Sequence, residues 1–594
     1  MTAADIKHPI PNDPVTIMRL LAAATPHNPA PGFLKSAAAG LFRWDLMLPF
    51  PEQDPADAAL GDAMVKEQAA FLQAHFDPTR IDARGKLPPD YVELYRRAGW
   101  QKLMLDKQYG GDGLSPLNMA RMVEVTASWC TAVAMSVSVN NYLGSPSYLD
   151  YMPDAGERQK VARMVADGAI SGLSAVEYQG ASNPIFQTTA IPSKDGRHYV
   201  INGRKCYIGN GPLADLLVVP CTTFAQGTTG EIGITVFIID TRQRGFRVAS
   251  PQTYMGLKGL ANAVLEFKNY KVPVGRMVGT PGQGLTVIME IQQPNRMFIN
   301  AITLAASKLS LTWARGFSDR SYMEQPLSSY QATQATIADA AAKVFAQESV
   351  LRWLTLSQVA GNLDLWTEWT AMKPWCSDTA WSVIDATMSL IAGRGYETAT
   401  SLARRGLPPY PVERFYRDMR VMRIFGTTNA LMELNVGNSS LVAAAGGDPV
   451  PPQQPVPPTT NLSPANRAHL VAAAALTTQI AQSTRALITR SGGIQGALAQ
   501  QPALIAIGRA LILLWTQTVT LARVETEAVA SNPQAPQLQE LADIFCRDAA
   551  ARAADALVGA AAWQADASAS VSAQVMAGSL DWLLGDVITR VPPA

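Results

Sequence analysis

The stretch 415-FYRDMRVMRIFGTTNALMEL-434 lies near the end of a region, from about 286 to 440, in which apolar residues recur at helical spacing. Near its middle stands Gly426, which has no side chain. Such a residue offers a ligand only its backbone groups and cannot serve as an acid or a base. The stretch therefore predicts helical structure around a position that can donate a hydrogen bond but cannot remove a proton.

The bulk composition predicts a large folded protein. The chain has 594 residues, of which 48% are hydrophobic and 16% charged, and its formal net charge is +1. At roughly 100–200 residues per domain, this length predicts three to five domains. A nearly neutral chain has no electrostatic footprint for nucleic acid, so we expect no nucleic-acid partner. A small ligand that carries phosphate is compatible with this balance.

The cysteines are five in number, widely scattered, and free of CxxC or histidine-pair spacing. This pattern favours neither a disulfide framework nor a zinc site, so we expect no metal. The N-terminal residues show no basic head followed by an apolar run and a cleavage site. Together these features predict a cytoplasmic location.

The longest apolar run is 503-ALIAIGRALILLWTQTV-519, which Arg509, Thr516 and Gln517 interrupt. It falls short of the ~20 uninterrupted apolar residues that a membrane span needs. We expect a buried or interface helix here, and a helix on a membrane surface is the alternative.

The spacing of apolar residues changes along the chain and divides it into regions. Helical spacing gives way to short β-type segments such as 233-GITVFIID-240 and later returns, and 446-GGDPVPPQQPVPPTTNLSP-464 is dense in proline. We predict an N-terminal extension (1–55), a helical domain (56–165), a β-rich middle domain (166–285), a second helical domain (286–445), a Pro-rich linker (446–465) and a C-terminal helical domain (466–594).

Several motifs occur in this order along the chain: 33-FLKSAAAGLFRWDLMLPFP-51, 110-GGDGLSP-116, 201-INGRKCYIGNGPLADLLVV-219, 253-TYMGLKG-259, 271-KVPVGRMVG-279 and 544-IFCRDAAARAADAL-557. With the stretch 415–434 they resemble the acyl-CoA dehydrogenase family, most closely its very-long-chain branch, which has an extra C-terminal helical domain. The resemblance implies an α+β fold with a helical N-domain, a β-barrel-like middle domain, a four-helix-type second helical domain and the C-terminal helical domain.

The spacing GxGxxA in 209-GNGPLA-214 is open to two interpretations. A dinucleotide-binding loop should follow a strand and open a helix. Here the segment leads into the apolar run 216-LLVVP-220, so we favour a turn that connects two strands.

The resemblance implies that FAD lies between the middle domain and the second helical domain, closed over by a neighbouring subunit. Arg320 matches the arginine that reaches the pyrophosphate, and Gln331 matches the glutamine of the next helix. In 392-AGRGYE-397 the resemblance places glycines that let the backbone approach the cofactor. The implied FAD contacts are Ser182, Tyr207, Gly209, Arg320, Gln331, Gly393, Gly395 and Thr428. For Arg320 a solvated helix charge is the alternative.

Departures from the family pattern cluster around the flavin ring. The family's aromatic-Ile-Thr/Ser triplet is Tyr207-Ile208-Gly209 here, so a hydroxyl is absent. The segment 176-VEYQGASN-183 replaces a Thr-Glu-Pro motif followed by Gly-Ser-Asp; Ser182 keeps the serine position and Asn183 stands in for the aspartate. Ser389 replaces the glutamine before the glycine turn.

The catalytic base is the most consequential departure. Desaturation needs a carboxylate that removes a proton from the α-carbon, and Gly426 occupies its position. Some family members carry the glutamate before an arginine on an earlier helix, but Asn295 precedes Arg296 here. The resemblance implies substrate contacts by Gly426, through its N–H, and by Arg296.

Three nearby acids are candidates for a replacement base: Glu433, Glu290 and Glu177. Glu433 lies seven residues after Gly426, roughly 10 Å along a helix, which is too far. For each acid we favour a solvated or salt-bridged surface carboxylate, and Glu290 is retained as a weak candidate.

The sequence thus favours a FAD-dependent acyl-thioester oxidoreductase whose base is recruited from elsewhere or supplied by the substrate. Two alternatives stay open: a flavoenzyme of altered chemistry, such as elimination or desulfination, and a non-catalytic structural or assembly subunit. The resemblance implies acyl-CoA or another acyl thioester as substrate, an electron-transfer flavoprotein or similar acceptor, and a homo-oligomer, expected to be a dimer.

Overall fold

The computed structural model describes residues 30–180, 186–227, 230–445, 450, 461–563 and 565–587. Helices, a β-sheet, a second set of helices and a C-terminal helical region follow one another along the chain. The predicted α+β fold class is confirmed; the domain boundaries stay predictions. One apolar core runs through the N-terminal, second and C-terminal helical regions, and two smaller cores flank the sheet.

Polar side chains cap the N-termini of several helices in the first helical region. The Asp54 carboxylate accepts hydrogen bonds from the N–H groups of Ala56 and Asp57, and Ser115 accepts one from Asn118. The helices are α1 (Phe33–Ala38), α2 (Pro55–His75), α3 (Pro78–Arg84), α4 (Tyr91–Arg97), α5 (Pro116–Trp129), α6 (Thr131–Ser138) and α7 (Ala155–Ala166).

An eight-stranded sheet forms the middle of the molecule, with strand order β7-β8-β4-β3-β5-β6-β9 and with β2 paired in parallel to β5. The strands are β2 (Ser171–Leu173), β3 (Thr189–Pro192), β4 (His198–Gly209), β5 (Leu216–Phe224), β6 (Glu231–Asp240), β7 (Phe246–Pro251), β8 (Asn262–Pro273) and β9 (Met277–Val278). Residues 210–215 connect β4 to β5 without a helix, so the predicted strand-connecting turn is confirmed.

The second helical region contains a break that matters for the site. Pro294 lies at the end of the first of its helices, and the next helix begins at Met297, which leaves Arg296 at the junction. The helices are α8 (Gly284–Asn295), α9 (Met297–Ser318), α10 (Gln331–Ala360), α11 (Trp366–Ile391), α12 (Gly393–Tyr396), α13 (Ala399–Arg404), α14 (Val412–Arg420) and α15 (Asn429–Ala444).

Two small strand pairs complete the fold outside the large sheet. A hairpin of β10 (Ser321–Tyr322) and β11 (Gln325–Pro326) connects α9 to α10. The short β1 (Ala30–Pro31) pairs in parallel with β12 (Leu363–Asp364) and fixes the first described residues to the second helical region.

The C-terminal helices pack on α15 through glycines. A Cβ added at Gly508 would lie 2.1 Å from the Glu433 carbonyl oxygen, and one at Gly437 would lie 2.0 Å from that of Leu504. The backbones therefore approach more closely than any side chain allows. The helices are α16 (Pro464–Arg490), α17 (Ile494–Leu498), α18 (Gln501–Val529), α19 (Ala535–Ala562) and α20 (Ala565–Met576).

Helix α18 is apolar and long enough to cross a membrane, and it is the one such helix in the described residues. Most of its apolar stretch is buried inside the protein. It is therefore a core helix, which agrees with the buried helix predicted for residues 503–519.

All five cysteines are free and buried, and they are distributed over the helical regions and the sheet. Burial raises the pKa of the Cys130 thiol to about 11 and that of Cys376 to about 12. Their sulfurs stay protonated at neutral pH.

Candidate active site

The site is centred on the turn that connects α14 to α15. Gly426 and Thr427 have φ values of +64° and +84°. Gly426 is exposed, and its N–H has no acceptor among the residues that the structure describes. The position that lacks a base therefore presents a free hydrogen-bond donor, which is the kind of group that stabilises a developing oxyanion.

A buried lysine holds this turn in place. Lys373 of α11 donates hydrogen bonds from Nζ to the Thr427 carbonyl oxygen at 2.7 Å and to Asn429 Oδ1 at 2.8 Å. Burial lowers the pKa of Lys373 to about 8. Because its side chain is fully buried, Lys373 fixes the turn and does not itself reach a ligand.

Sequence analysis did not single out Lys373. A signal for it exists, since Lys373 is the one charged residue in the largely apolar run 369-WTAMKPWC-376. A lone lysine within a buried helix needs hydrogen-bond acceptors, and the turn at 427–429 supplies them.

Arg296 lies at the α8–α9 junction and faces the same region. Its Nη1 donates to Gln293 Oε1, and the Gln293 amide donates to Thr370 Oγ1 at 3.1 Å. Arg296 is partly exposed, although burial lowers its pKa to about 10. Its positive charge also lowers the pKa of Lys373, so the two cations are near each other.

Asn295, at the family's second location for a base, is used structurally. Its Nδ2 donates to the Tyr142 carbonyl oxygen at 2.6 Å and so fastens α8 to the first helical region. A carboxylate at this position could not donate to a carbonyl. Asn295 is therefore an anchor, and neither location carries a base.

Aromatic residues form the wall beside Gly426. The Phe425 ring lies 6.1 Å from that of Phe298, which stacks on Tyr142 at 5.7 Å. A Cβ added at Gly426 would meet only Ile299 Cδ1, at 3.9 Å. The space beside Gly426 is open, and its nearest wall is apolar.

The end of β4 carries the predicted flavin contacts Tyr207 and Gly209. An extra residue between Lys205 and Ile208 makes a β-bulge, in which Tyr207 has φ +58° and its ring is exposed beside Tyr254. A Cβ added at Gly209 would lie 3.3 Å from Val139. At position 209, where the family pattern has a Thr or Ser hydroxyl, the Val139 side chain therefore leaves little room for a side chain.

The segment 252–259 links the sheet to the helices on both sides. Arg417 of α14 forms a bidentate ion pair with Asp82 of α3, at 2.8 and 3.0 Å, and donates to the Met255 carbonyl. The buried Asp418 accepts a hydrogen bond from the Leu257 N–H, and burial raises its pKa to about 6. Three parts of the chain thus meet directly before the turn at Gly426.

Two of the candidate replacement bases face away from this turn. Glu290 lies beside Tyr151, and burial raises its pKa. Glu433, which we expected on the surface, is buried and pairs with Arg509 of the C-terminal region at 2.9 Å. The structure does not bring either carboxylate to Gly426.

Glu177 requires a correction. We expected a surface carboxylate, but Glu177 is buried and pairs with the fully buried Lys205 at 2.8 Å. It also accepts hydrogen bonds from the N–H groups of Gln187 and Thr188. Burial is the largest single effect on the pKa of Glu177 and acts to raise it, but Lys205 and the two N–H donors together outweigh burial and lower the pKa. These contacts hold this part of the sheet together.

Of the predicted phosphate contacts, Arg320 lies beside Phe317 at the end of α9, together with Arg394, which the sequence analysis did not single out. The guanidinium carbons of Arg320 and Arg394 lie 5.0 and 6.0 Å from its ring centroid. Arg320 is exposed, and Gln331 begins α10 just after the hairpin. Two guanidinium groups on one exposed edge can bind an anion such as a diphosphate.

The two glycines of 392-AGRGYE-397 have different surroundings. A Cβ at Gly393 would meet no atom within 4 Å, so that side is open. One at Gly395 would lie 2.7 Å from the Met388 carbonyl oxygen. Gly395 is therefore required by its close packing against Met388, with or without a contact to the cofactor.

The last two predicted flavin contacts are Thr428 and Ser182. Thr428 precedes α15, is exposed, and makes no capping hydrogen bond with its side chain. Its hydroxyl and the first N–H groups of the helix have no partner in the described part of the chain and can bind an anionic or polar ligand. Ser182 lies outside the described residues.

Three models of one family match the chain in consecutive segments. The N-terminal domain of acyl-CoA dehydrogenase matches residues 61–169, the middle domain residues 173–270 and the C-terminal domain residues 282–441. The turn at Gly426 and the Arg296–Lys373 region both lie in the third segment.

Similar proteins include the probable acyl-CoA dehydrogenase FadE10 of Mycobacterium tuberculosis, 30% identical over 70% of this chain and 65% of that protein. The mitochondrial very long-chain specific acyl-CoA dehydrogenase of Mus musculus is 28% identical over 70% of this chain and 63% of its own. The matched region thus spans less than two thirds of either relative. A Bacillus anthracis acyl-CoA dehydrogenase complexed with FAD shares the fold, with a TM-score of 0.71, 19% identity, and coverage of 90% of this chain and 92% of that one.

Proposed function

Because the chain belongs to the acyl-CoA dehydrogenase family, we propose that it is a FAD-dependent oxidoreductase of acyl thioesters that lacks the family's carboxylate base. The free N–H of Gly426, on a turn held by a buried lysine, is the observation that carries this proposal. A donor fixed in this way is suited to a thioester carbonyl oxygen.

The residues present fit FAD on its phosphate side. Arg320 and Arg394 supply two guanidinium groups, Gly393 leaves open space beside them, and Thr428 offers a free hydroxyl. When bound, FAD supplies the hydride acceptor that this chemistry requires. The fit is weaker at the ring, where Gly209 brings no hydroxyl.

The chain itself polarises the substrate. Hydrogen bonding by the Gly426 N–H withdraws charge from the thioester carbonyl and makes the α-proton more acidic. The aromatic wall of Phe298 and Phe425 keeps water from one side of this position. Since no carboxylate of the described residues lies beside Gly426, the proton goes to a recruited group or to the substrate itself, and turnover of simple saturated thioesters is slow.

The proposal includes a homodimer, an electron-transfer flavoprotein or similar acceptor, and a cytoplasmic location. Exposed apolar side chains beside the phosphate edge support the dimer: Met323 is 75% exposed and Tyr396 82%. Five free, buried thiols are consistent with a reducing compartment.

We further propose that the C-terminal region contacts a membrane surface. Met576, Trp582, Leu583 and Leu584 are exposed near its end. Large apolar groups in such a position bind well at a lipid interface. Vesicle flotation tests this, and a Trp582→Asp variant that floats as well as the unaltered protein contradicts it.

The absorption spectrum of the purified protein, followed by anaerobic mixing with a panel of acyl-CoA thioesters, tests the main proposal. We expect bound flavin, a shift of its bands when thioesters bind, and slow bleaching. Purified protein that neither contains nor takes up FAD would indicate an assembly subunit. Bound FAD that no acyl-CoA perturbs would indicate altered chemistry, such as elimination or desulfination.

A further inference from the structure

The turn that presents the Gly426 N–H is short and strained. It spans residues 424–428, between the short 3-10 helix Val421–Arg423, which follows α14, and Asn429, the first residue of α15. Two consecutive residues within it, Gly426 and Thr427, have left-handed φ values. Such a conformation persists only where its surroundings enforce it. The direction of the Gly426 N–H therefore depends on the contacts that hold the two ends of the turn.

A single carboxylate holds both of these ends. Asp378 of α11 accepts two hydrogen bonds at the same oxygen, Oδ1: one from Arg423 Nε at 2.5 Å and one from Asn429 Nδ2 at 2.9 Å. Arg423 precedes Gly426 by three residues, and Asn429 follows it by three. Removal of this oxygen would release the turn on both sides.

The carboxylate of Asp378 is also connected to the buried lysine through Asn429. Asn429 Oδ1 accepts a hydrogen bond from Lys373 Nζ at 2.8 Å, and Lys373 in turn donates to the Thr427 carbonyl oxygen at 2.7 Å. The bonds form a continuous chain from Arg423 to the backbone of the turn. Asp378 places a negative charge between the two positive charges of this chain, and such linked bonds polarise one another.

The surroundings of Asp378 leave its carboxylate to the turn. Within the described residues its one ion pair is with Arg423. Glu433 and Arg509, the nearby pair of opposite charges, bind each other at 2.9 Å. The Arg423 guanidinium carbon also lies 5.9 Å from the ring centroid of Trp381, on the same helix as Asp378. Arg423 is therefore held by two residues of α11.

We propose that Asp378 is a positioning residue for the reaction: without touching the substrate, it fixes the turn so that the Gly426 N–H is directed at the thioester carbonyl oxygen. This inference rests on the proposed function, because it assumes that a thioester binds at Gly426. Preorganised donors are effective because they need no reorganisation when charge develops. A displacement of about 1 Å can lower a rate about a hundredfold.

The infrared C=O stretch of a bound thioester tests this positioning directly. The acyl-CoA that shifts the flavin bands most is prepared with ¹³C at its carbonyl carbon and bound anaerobically to the FAD-loaded protein. We expect the unmutated protein to lower the stretching frequency below its value in solution, because the Gly426 N–H polarises the carbonyl. Asp378→Ala should move the band back toward the solution value and slow flavin reduction about ten- to a hundredfold.

Further variants distinguish positioning from a general loss of stability. Asp378→Asn keeps an oxygen that can accept both hydrogen bonds, so it should retain most of the frequency shift. Glu157→Ala is the matched control, because Glu157 of α7 likewise accepts a hydrogen bond from an arginine Nε, that of Arg276, at 2.5 Å. It should leave the band and the rate unchanged. If Asp378→Ala does not fold or load FAD, Arg423→Met decides, since it releases one end of the turn and should move the band part of the way.

The outcomes separate the inference from the function on which it rests. An unchanged carbonyl band in folded, FAD-loaded Asp378→Ala, or in Arg423→Met where that variant decides, overturns the inference and leaves the acyl-thioester oxidoreductase standing. Equal displacement of the band in Asp378→Ala and Glu157→Ala also overturns it. If no acyl-CoA perturbs the flavin of the unmutated protein, the proposed function fails and the inference fails with it.

Discussion

At the scale of single residues, the turn at Gly426 stores backbone strain. Thr427 is β-branched yet has φ +84°, a region that such residues strongly disfavour. A conformation of this kind costs about 1–3 kcal/mol and persists only where its surroundings enforce it. The hydrogen bond from Lys373 to the Thr427 carbonyl is the contact that does so.

Gly426→Glu should place a carboxylate in the open space beside Ile299. Because φ is +64° here, we expect the side chain to cost about 1–2 kcal/mol of folding stability. A base at this position should accelerate flavin reduction by saturated acyl-CoA about 10²–10⁴-fold, measured by stopped-flow bleaching. Gly426→Gln is the matched control, since it carries the same strain without a base. No acceleration in folded, FAD-loaded Gly426→Glu would mean that the cleft is remodelled beyond the missing base.

Arg320→Ala should weaken FAD binding. The exposed guanidinium beside Phe317 is a candidate for a phosphate contact, and such a charge-assisted bond contributes about 1.5–3 kcal/mol, or ten- to a hundredfold in affinity. Apoprotein titrated with FAD gives the dissociation constant. Arg404→Ala, at another exposed arginine, is the control. Equal affinities in the two variants would remove Arg320 from the cofactor site.

At the scale of elements, the contact between α15 and α18 depends on glycine. Gly508→Ala would put a methyl group 2.1 Å from the Glu433 carbonyl oxygen. We expect a loss of about 1–3 kcal/mol, because the two helices must separate. Gly559→Ala on α19 is the matched control: its Cβ meets nothing within 4 Å, and it should gain up to about 1 kcal/mol from helix propensity. Thermal unfolding compares the two, and similar melting temperatures would contradict the close contact.

Helix α1 docks on α11 through Glu368, which accepts a hydrogen bond from the Leu34 N–H at 2.8 Å. Burial raises the pKa of Glu368 from 4.5 to about 7. The folded chain thus holds this proton more tightly than the unfolded chain does. The contribution to the free energy of unfolding is largest below pH 4.5 and falls by about 3 kcal/mol as the pH rises to 7.

Glu368→Gln should remove this dependence while it keeps an acceptor for Leu34. Urea unfolding of both proteins at several values between pH 4.5 and 7 measures it. If the difference between the two proteins does not change with pH, Glu368 does not titrate in this range.

Periodicity and turn residues were enough to predict the order of the elements and the β4–β5 connection, because these depend on neighbouring residues. The site was less accessible to sequence reasoning. Lys373 and the Thr427 carbonyl are 54 positions apart, so only the packing of α11 reveals their bond. In the same way, the local sequence predicts a surface position for Glu177, because its partner Lys205 is 28 positions away and only the folded sheet brings the two together.

At the scale of the whole molecule, we expect a dimer or a dimer of dimers whose interface includes the hairpin after α9. Tyr396→Asp should weaken it, because the ring is 82% exposed beside the glycine turn and a charge there would be desolvated on association. Light scattering at micromolar concentration measures the mass. Val529→Asp, at an exposed residue of the C-terminal region, is the control. A monomeric unmutated protein would refute the prediction.

Each region of the molecule contains at least one buried cysteine: one lies next to α6, two lie in the sheet, one in α11 and one in α19. A maleimide cannot label any of them until the surrounding structure opens, because each thiol is buried and protonated. The labelling rate at each cysteine therefore measures how often the structure around it opens. Labelling rates determined for the five cysteine-containing peptides show which region opens most readily and whether bound FAD slows that opening.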